Sequence, residues 1–383
     1  MIAFDAARAL VLAGIRLVGT EIIPLSAAHG RVLAAPVLAR VTQPPQDVSA
    51  MDGYALGTGT DWTVIGAAPA GQPFEGTITA GQAVRVFTGS VVPTGTDRVA
   101  AQEDVTDQRG TLTVRAGGNR NIRAAGQDFR TGDVLLRPSD ILHPRSIGLA
   151  AAANYPWLTV RRRPRVAILA TGDEVSLPGE PIATGGIVSS NAHAIAALVQ
   201  SAGGEASILP IASDRLDDLS AVIGSVAADL LVTCGGASVG DFDLVQRALA
   251  AQAFKRAFWQ VAMRPGKPLL FGYLGSMPVL GLPGNPVSSY VCAVLFMVPA
   301  IAAMLGRSTD TGRLSCRLTA AVGANDHRQD FIRAIRSGAD VTALLRQDSS
   351  LLTVLAQANC LIVRPPHAPP AEAGTEVETI DLP

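Results

Sequence analysis

Phe4, Ala7, Val11, Ile15 and Val18 recur at helical spacing and predict a helix over 4–18 with one apolar face. Gly19 and Pro24 punctuate the next segment. From about 41 to 127 the period changes. Short Val/Thr/Ile runs (TVIGA, AVRVFTG, TLTVRA) alternate with turn chemistry (PPQD, PAGQP, PTGTD, GGNRN), the signature of a small β domain. Residues 128–162 return to turn and helix signals. From 165 to 306 the pattern becomes β-α-β-α. Val166–Ala170 is a continuous apolar run, as in a buried parallel strand. A helix then opens at Ser190 or Asn191 and runs through AHAIAALVQSAGG. Next come strand ASILPI, helix LDDLSAVIGSVA, strand DLLVTC, helix FDLVQRALAA and strands PLLFGY and PVLGL, then a long apolar helix from about 287. Repeated β-α units predict a doubly wound parallel sheet with helices on both faces. After it the chain reverts to β: LSCRLTA, VTALL, CLIVRP, EVETIDL.

At about 150 residues per domain, 383 residues correspond to about 2.6, so two to four domains are expected. The pattern divides them into 1–40 with 128–164 as a helical linking domain, 41–127 as the small β domain, 165–306 as the α/β domain and 307–383 as a C-terminal β domain. Hydrophobic residues make up 48%, so a large core can be buried, and aromatics only 4%, so that core is built of Ala, Val and Leu. Thirty-one cations against 32 anions leave a net charge of −1, which excludes a disordered polyelectrolyte and gives no electrostatic argument for nucleic acid. The Arg161-Arg162-Arg163 triplet stands without a second basic run and reads as a solvated linker edge. The apolar stretch Tyr290–Leu305, interrupted by Pro299, is short for a membrane span and reads as a buried core helix.

Cys234, Cys292, Cys316 and Cys360 form no CxxC pair, which argues against a zinc ribbon or redox dithiol and fits a reducing cytoplasm. Asp5 stands where an export signal wants cations. The five histidines are scattered; His193 reads as structural and His29 as a turn residue.

Ligands of an open parallel sheet bind at the carboxyl ends of its strands. Those ends carry the chain's least ordinary residues: Thr171-Gly172-Asp173-Glu174, Ser213-Asp214, Cys234 to Asp243, and Pro283-Gly284-Asn285-Pro286. Read singly, each has a structural explanation. Acids at a helix start are favoured by the macrodipole, and GG or PGNP serve as turns. Together on one edge they need something cationic to relieve their repulsion, and a divalent metal with oxygen ligands, Mg²⁺, does that. The Gly-rich loop ahead of a helix suits phosphate, and Arg264-Pro265-Gly266-Lys267 adds two cations. The set describes a metal-assisted phosphate-ester or anhydride site. Cys234 is a weak nucleophile candidate, having no evident His partner.

At these residues the chain resembles the bacterial molybdopterin molybdotransferases, the MoeA family, and the related E-domain of animal gephyrin. The segments that carry the resemblance run the length of the chain: Gly30-Arg31-Val32-Leu33, PPQDVSAMDGYAL (44–56), VFTGSVVPTGTDRV (86–99), NIRAAGQDFRTGD (121–133), RPRVAILATGDEV (163–175), CGGASVGDFD (234–243), VAMRPGKPLLFG (261–272), GLPGNPVSS (281–289) and DFIRA (330–334). The resemblance implies four domains in a homodimer, the α/β domain having the molybdopterin adenylyltransferase fold and the C-terminal domain a small β-barrel. It implies that adenylylated molybdopterin and molybdate bind, the anhydride is hydrolysed with Mg²⁺, molybdenum enters the dithiolene and AMP leaves. The adenylyltransferase and the target molybdoenzymes are implied partners; nucleic acid and membrane are not.

By motif, the implied catalytic residues are Asp52, Glu174, Asp214, Asp243, Arg264 and Lys267, with Glu174 and Asp243 on the metal. The implied substrate contacts are Thr88, Asp128, Gly235, Gly236, Ser238, Pro283, Asn285, Pro286, Arg333 and Ser349 or Ser350. Asp52 and Thr88 would complete the site from the neighbouring subunit. The sequence departs from the family pattern at Gln260, where many relatives have Lys, and at Arg264, where several do. Two rival readings stand beside this one: a gephyrin-like scaffold without catalysis, and an adenylyltransferase, which would need only residues 165–306.

Overall fold

The computed structural model describes residues 1–115, 117–235 and 244–383. It divides into two compact units, Met1–Glu21 with Arg161–Pro383, and Ile22–Val160.

The first unit is built on a six-stranded sheet, in spatial order Glu205–Ile208, Arg165–Ala170, Leu230–Cys234, Met277–Leu282, Leu270–Leu274, Lys255–Trp259. The first four strands are parallel, and Leu270–Leu274 alone runs against them, pairing antiparallel with Met277–Leu282 on one side and Lys255–Trp259 on the other. The expected parallel sheet is thus extended at one side by the hairpin Leu270–Leu282 and a further edge strand. Gly275 (φ 58°) makes the turn between strands of opposite direction, leaving no room for a crossover helix. The edge strand Lys255–Trp259 is absent from the pattern reading because its burial does not alternate; Lys255, Arg256 and Ala257 are all exposed. Such charged, half-buried strands protect sheet edges.

Ala167, Leu169, Leu231 and Val279 pack against Leu219, Ile223, Val245 and Leu249 of the helices Leu216–Ser225 and Leu244–Ala251. The helices Asn191–Ser201 and Pro286–Met304 pack on the sheet strands as well and on each other, and so complete the double winding. The long helix is apolar enough to cross a membrane by length and composition, but 83% of it is buried inside the protein. Each fully buried Val291, Leu295, Phe296 and Ile301 contributes about 1.5–3 kcal/mol. It does not break at Pro299. A π-helical turn, Ala293–Met297, lies just ahead and absorbs the missing N–H and the ring's clash with the preceding turn.

The predicted helix over 4–18 spans only Phe4–Ala13. Gly14 ends it, where a Cβ would fall 1.8 Å from the Tyr273 hydroxyl, and Val18 is buried in irregular chain, its N–H on the Met304 carbonyl. The C-terminal strands close into a five-stranded barrel: Gln329–Ser337 pairs with Asp340–Ala343 on one side and Cys360–Arg364 on the other, with Leu314–Leu318 and Glu376–Asp381 completing the ring. Met263–Arg264 adds a short parallel strand to it.

In the second unit, six strands between Gly53 and Val114 form one mixed sheet, with Ala55, Val84, Val86 and Val99 on one face and Leu56, Trp62 and Leu112 on the other. A separate core gathers Leu33, Val37, Phe129, Leu142 and Leu158 around the helix Pro144–Ala152.

Candidate active site

The four parallel strands deliver their carboxyl ends to one cavity of about 710 Å³. Thr171, Gly172 and Glu174 enter it from the first strand, Asp214 from the second, Cys234 and Gly235 from the third, and Pro283 to Pro286 from the fourth. The geometry of each loop arises from its residues. Gly172 has φ +132°, and a Cβ there would lie 2.5 Å from Glu174 Oε2, so only glycine lets the Glu174 carboxylate fold back over the turn. Asp173 accepts the Asp214 N–H at 3.0 Å and ties the first loop to the second. The Gly235 N–H donates to the Leu282 carbonyl at 3.2 Å, tying the third to the fourth.

Sequence reasoning missed one wall. Strands Val175–Ser176 and Ile187–Val188 pair as a small ribbon whose Val175, Ile187 and Val188 give the cavity an apolar side, continued by Ser189, Ser190 and Asn191. Asn191 was legible as a helix start, and the helix does begin there. Its side chain, however, donates to the Gly284 carbonyl at 2.8 Å and braces the PGNP loop.

Two acids, Glu174 and Asp214, line the cavity, and no cation does among the described lining residues. Lys267 is exposed and sits beside the lining residue Pro268. Arg264 is engaged elsewhere: its guanidinium bonds both carboxylate oxygens of Asp330, one at 2.8 Å and the other very short, where the strands Met263–Arg264 and Gln329–Ser337 run together. Gln260 has an unusual φ of +69°, with its N–H on the Leu269 carbonyl and its own carbonyl accepting the Ile2 N–H. Burial pushes the Cys234 thiol up to about 12, so it is no nucleophile at neutral pH. Gly236, Ser238 and Asp243 lie outside the described residues. No group of three or more ligating side chains forms among the described residues. Mg²⁺ ordinarily takes only one or two protein carboxylates and fills its shell with water and substrate phosphate, and the carboxylates on this wall suit it.

Arg333, expected at the substrate, is 2% exposed in the barrel, and burial pushes its guanidinium below its ordinary range against the opposing pull of Asp348. Ser349 reaches the site: its Oγ accepts from Asn285 Nδ2 at 3.0 Å. Ser350 does not; it bonds Asp348. In the second unit, Asp52 accepts the Thr88 N–H at 2.7 Å and the Thr88 hydroxyl at 2.8 Å, which together hold its carboxyl below the usual carboxylate range. The two expected partners are thus side by side. Asp128 is exposed, its N–H donating to the Gln43 carbonyl at 3.1 Å.

The site is thus a cavity at the carboxyl edge of a parallel sheet, in a unit that continues into a closed barrel. Residues 167–303 match the model of a probable molybdopterin binding domain. Residues 2–154 match the MoeA N-terminal region (domain I and II), and 315–382 the MoeA C-terminal region (domain IV). The chain is 33% identical to the molybdopterin molybdenumtransferase of Haemophilus influenzae, covering 90% of this chain and 89% of that one. It is 32% identical to molybdopterin molybdenumtransferase 2 of Mycobacterium tuberculosis, covering 94% of each. The crystal structure of the molybdopterin biosynthesis MoeA protein from Pyrococcus horikoshii matches all of both chains with a TM-score of 0.85 at 26% identity. The chain belongs to the MoeA family.

Proposed function

We propose that this chain is a molybdopterin molybdotransferase of molybdenum cofactor biosynthesis. Adenylylated molybdopterin and molybdate bind, water cleaves the adenylyl anhydride, molybdenum passes to the dithiolene and AMP leaves. The observation that carries this is the convergence of Glu174, Asp214, Gly235 and the Pro283–Pro286 loop on one cavity. That cavity presents carboxylates to a substrate that is itself anionic. Like charges meet there only with a cation between them, and Mg²⁺ bound by Glu174, with Asp243, would neutralise the anhydride oxygens and act as a Lewis acid. The chain's own residues do the rest. Gly172 and Asp173 hold the acids at the rim, the ribbon and Pro283 exclude water on the apolar side, and exposed Lys267 offers a phosphate counter-charge beside Pro268.

The rival scaffold reading does not require acids at the cavity, and the adenylyltransferase reading does not require the second unit or the barrel. We further propose a homodimer, and a cytoplasmic setting, the latter supported by four cysteines that are all free and buried. AMP release from adenylylated molybdopterin, with Mg²⁺ and with or without molybdate, tests the function; molybdate-dependent release is expected, and none at all would refute it. Light scattering tests the assembly; a fully active monomer at micromolar concentration excludes the dimer.

A further inference from the structure

Asn285 precedes Pro286, the first residue of the long helix beside the cavity. An Asn in this position ordinarily turns its side chain onto a backbone N–H of its own helix. This one makes no such bond. Its Nδ2 donates to Ser349 Oγ at 3.0 Å, and the Val287 N–H donates to the Ser349 carbonyl, also at 3.0 Å. The helix start is therefore capped by the loop that comes after the barrel strand Asp340–Ala343.

The Gln347 side chain makes three of the bonds that hold that loop, beside the Leu344 N–H, which donates to the Arg333 carbonyl at 2.9 Å. Gln347 Oε1 accepts the Arg333 N–H at 3.0 Å, and Gln347 Nε2 donates to the carbonyls of Arg333 at 3.0 Å and Leu344 at 2.7 Å. The amide thus adds a rung to the barrel strand Gln329–Ser337, imitating a backbone partner. Beyond it, Arg333 Nη2 donates to the Asp348 carbonyl at 3.3 Å, and the Asp348 carboxylate accepts the Ser350 N–H at 2.8 Å and hydroxyl at 2.7 Å. An unbroken series of bonds runs from the barrel through Gln347 and the Asp348 turn to Ser349, and from there to Asn285 in the cavity wall.

We propose that Gln347 is a positioning residue for the reaction. By locking residues 344–350 onto Arg333 it keeps Ser349 against Asn285 and Val287, and so fixes the Pro283–Pro286 wall on which the substrate rests. Gln347 is not among the residues lining the cavity. Its side chain is exposed, so its removal leaves no hole in the core. The proposal rests on the reading of the cavity as a molybdotransferase site.

The test compares Gln347→Ala, Ser349→Ala and the double variant with the wild-type chain. Two readouts are taken: the Asn285 side-chain amide signal in protein labelled with ¹⁵N-asparagine, and KM and kcat for AMP release. In Gln347→Ala the Asn285 amide should move toward its position in Ser349→Ala. KM should rise about five- to ten-fold, the weight of one net hydrogen bond, with kcat within about two-fold. The double variant should be no worse than Ser349→Ala, because Gln347 acts through Ser349. An unmoved Asn285 amide, or KM effects that multiply in the double variant, overturns the proposal. Should Gln347→Ala fail to fold, Gln347→Glu keeps the acceptor for the Arg333 N–H, loses both donors, and should move the same signal in the same direction. An enzyme without turnover would refute the functional reading, and the amide signal would still decide the link to Gln347.

Discussion

The two ends of the one sheet treat charge in opposite ways. Where the strands begin, Asp229 takes both guanidinium nitrogens of Arg162 at 2.6 Å and the Arg165 N–H at 2.7 Å. Arg162 comes from the basic triplet, whose Arg163 is exposed as a solvated edge would be, while Arg161 bonds the Val18 carbonyl and Arg162 this acid. Burial alone would raise the Asp229 carboxyl, but these bonds and the charges of Arg162 and Arg165 outweigh it and hold the group below its ordinary value. Where the strands finish, Glu174 and Asp214 line an open cavity with no cation among the described lining residues. A charge satisfied by its neighbours stabilises the fold; one left facing a cavity is available to a ligand. The difference separates residues that hold the sheet from residues that use it.

The strongest way to break this contrast is Glu174→Gln. AMP release should fall roughly 100-fold or more while the melting temperature stays within about 2 °C, as expected for a charge that serves the reaction and not the fold. Near-normal turnover would place Glu174 with Asp229 among the structural acids. Asp214→Asn should cost about ten-fold in turnover, again without loss of stability. At the other end Asp229→Asn should do the reverse, lowering stability by about 1–3 kcal/mol in urea denaturation and sparing AMP release at saturating substrate. Its sign with pH is fixed. The folded carboxyl is depressed, so its stabilisation is present above the ordinary value of 3.8 and is lost as pH falls through the folded value; the gap between wild type and variant should narrow below about pH 4. The smallest effect belongs to Cys234. Cys234→Ala should leave turnover within about two-fold, and iodoacetamide at pH 8 should label the wild-type thiol far more slowly than a free cysteine.

Much of this was legible in the order of residues, for physical reasons. Five consecutive apolar residues at 166–170 leave few alternatives to a strand buried on both faces, and Gly172 beside Glu174 marks the turn. The strand Gln329–Ser337 was not legible. It is the barrel's longest, yet it buries Gln329, Asp330 and Arg333 beside Phe331 and Ala334, so no alternation of apolar and polar survives. The partners of those buried charges come from elsewhere in the chain, Arg264 for Asp330 and the 347–348 segment for Arg333. For the same reason the motif resemblance could assign Arg264 and Arg333 to the substrate without showing that Asp330 and the 347–348 segment hold them. The second acid of the expected metal pair, Asp243, lies outside the described residues, so that half of the site rests on the sequence alone.

Phe4 packs its ring against Phe296, 5.4 Å between centroids, and Phe331, 4.9 Å. During synthesis Phe296, the earlier of the two in the chain, emerges about 290 residues later, a delay of roughly 15–60 s at 5–20 residues per second. Until then the apolar face of Phe4, Ala7 and Val11 lacks its native neighbours, although the whole of Ile22–Val160 is made before Phe296 is. A side chain made early is thus among the last to find its neighbours.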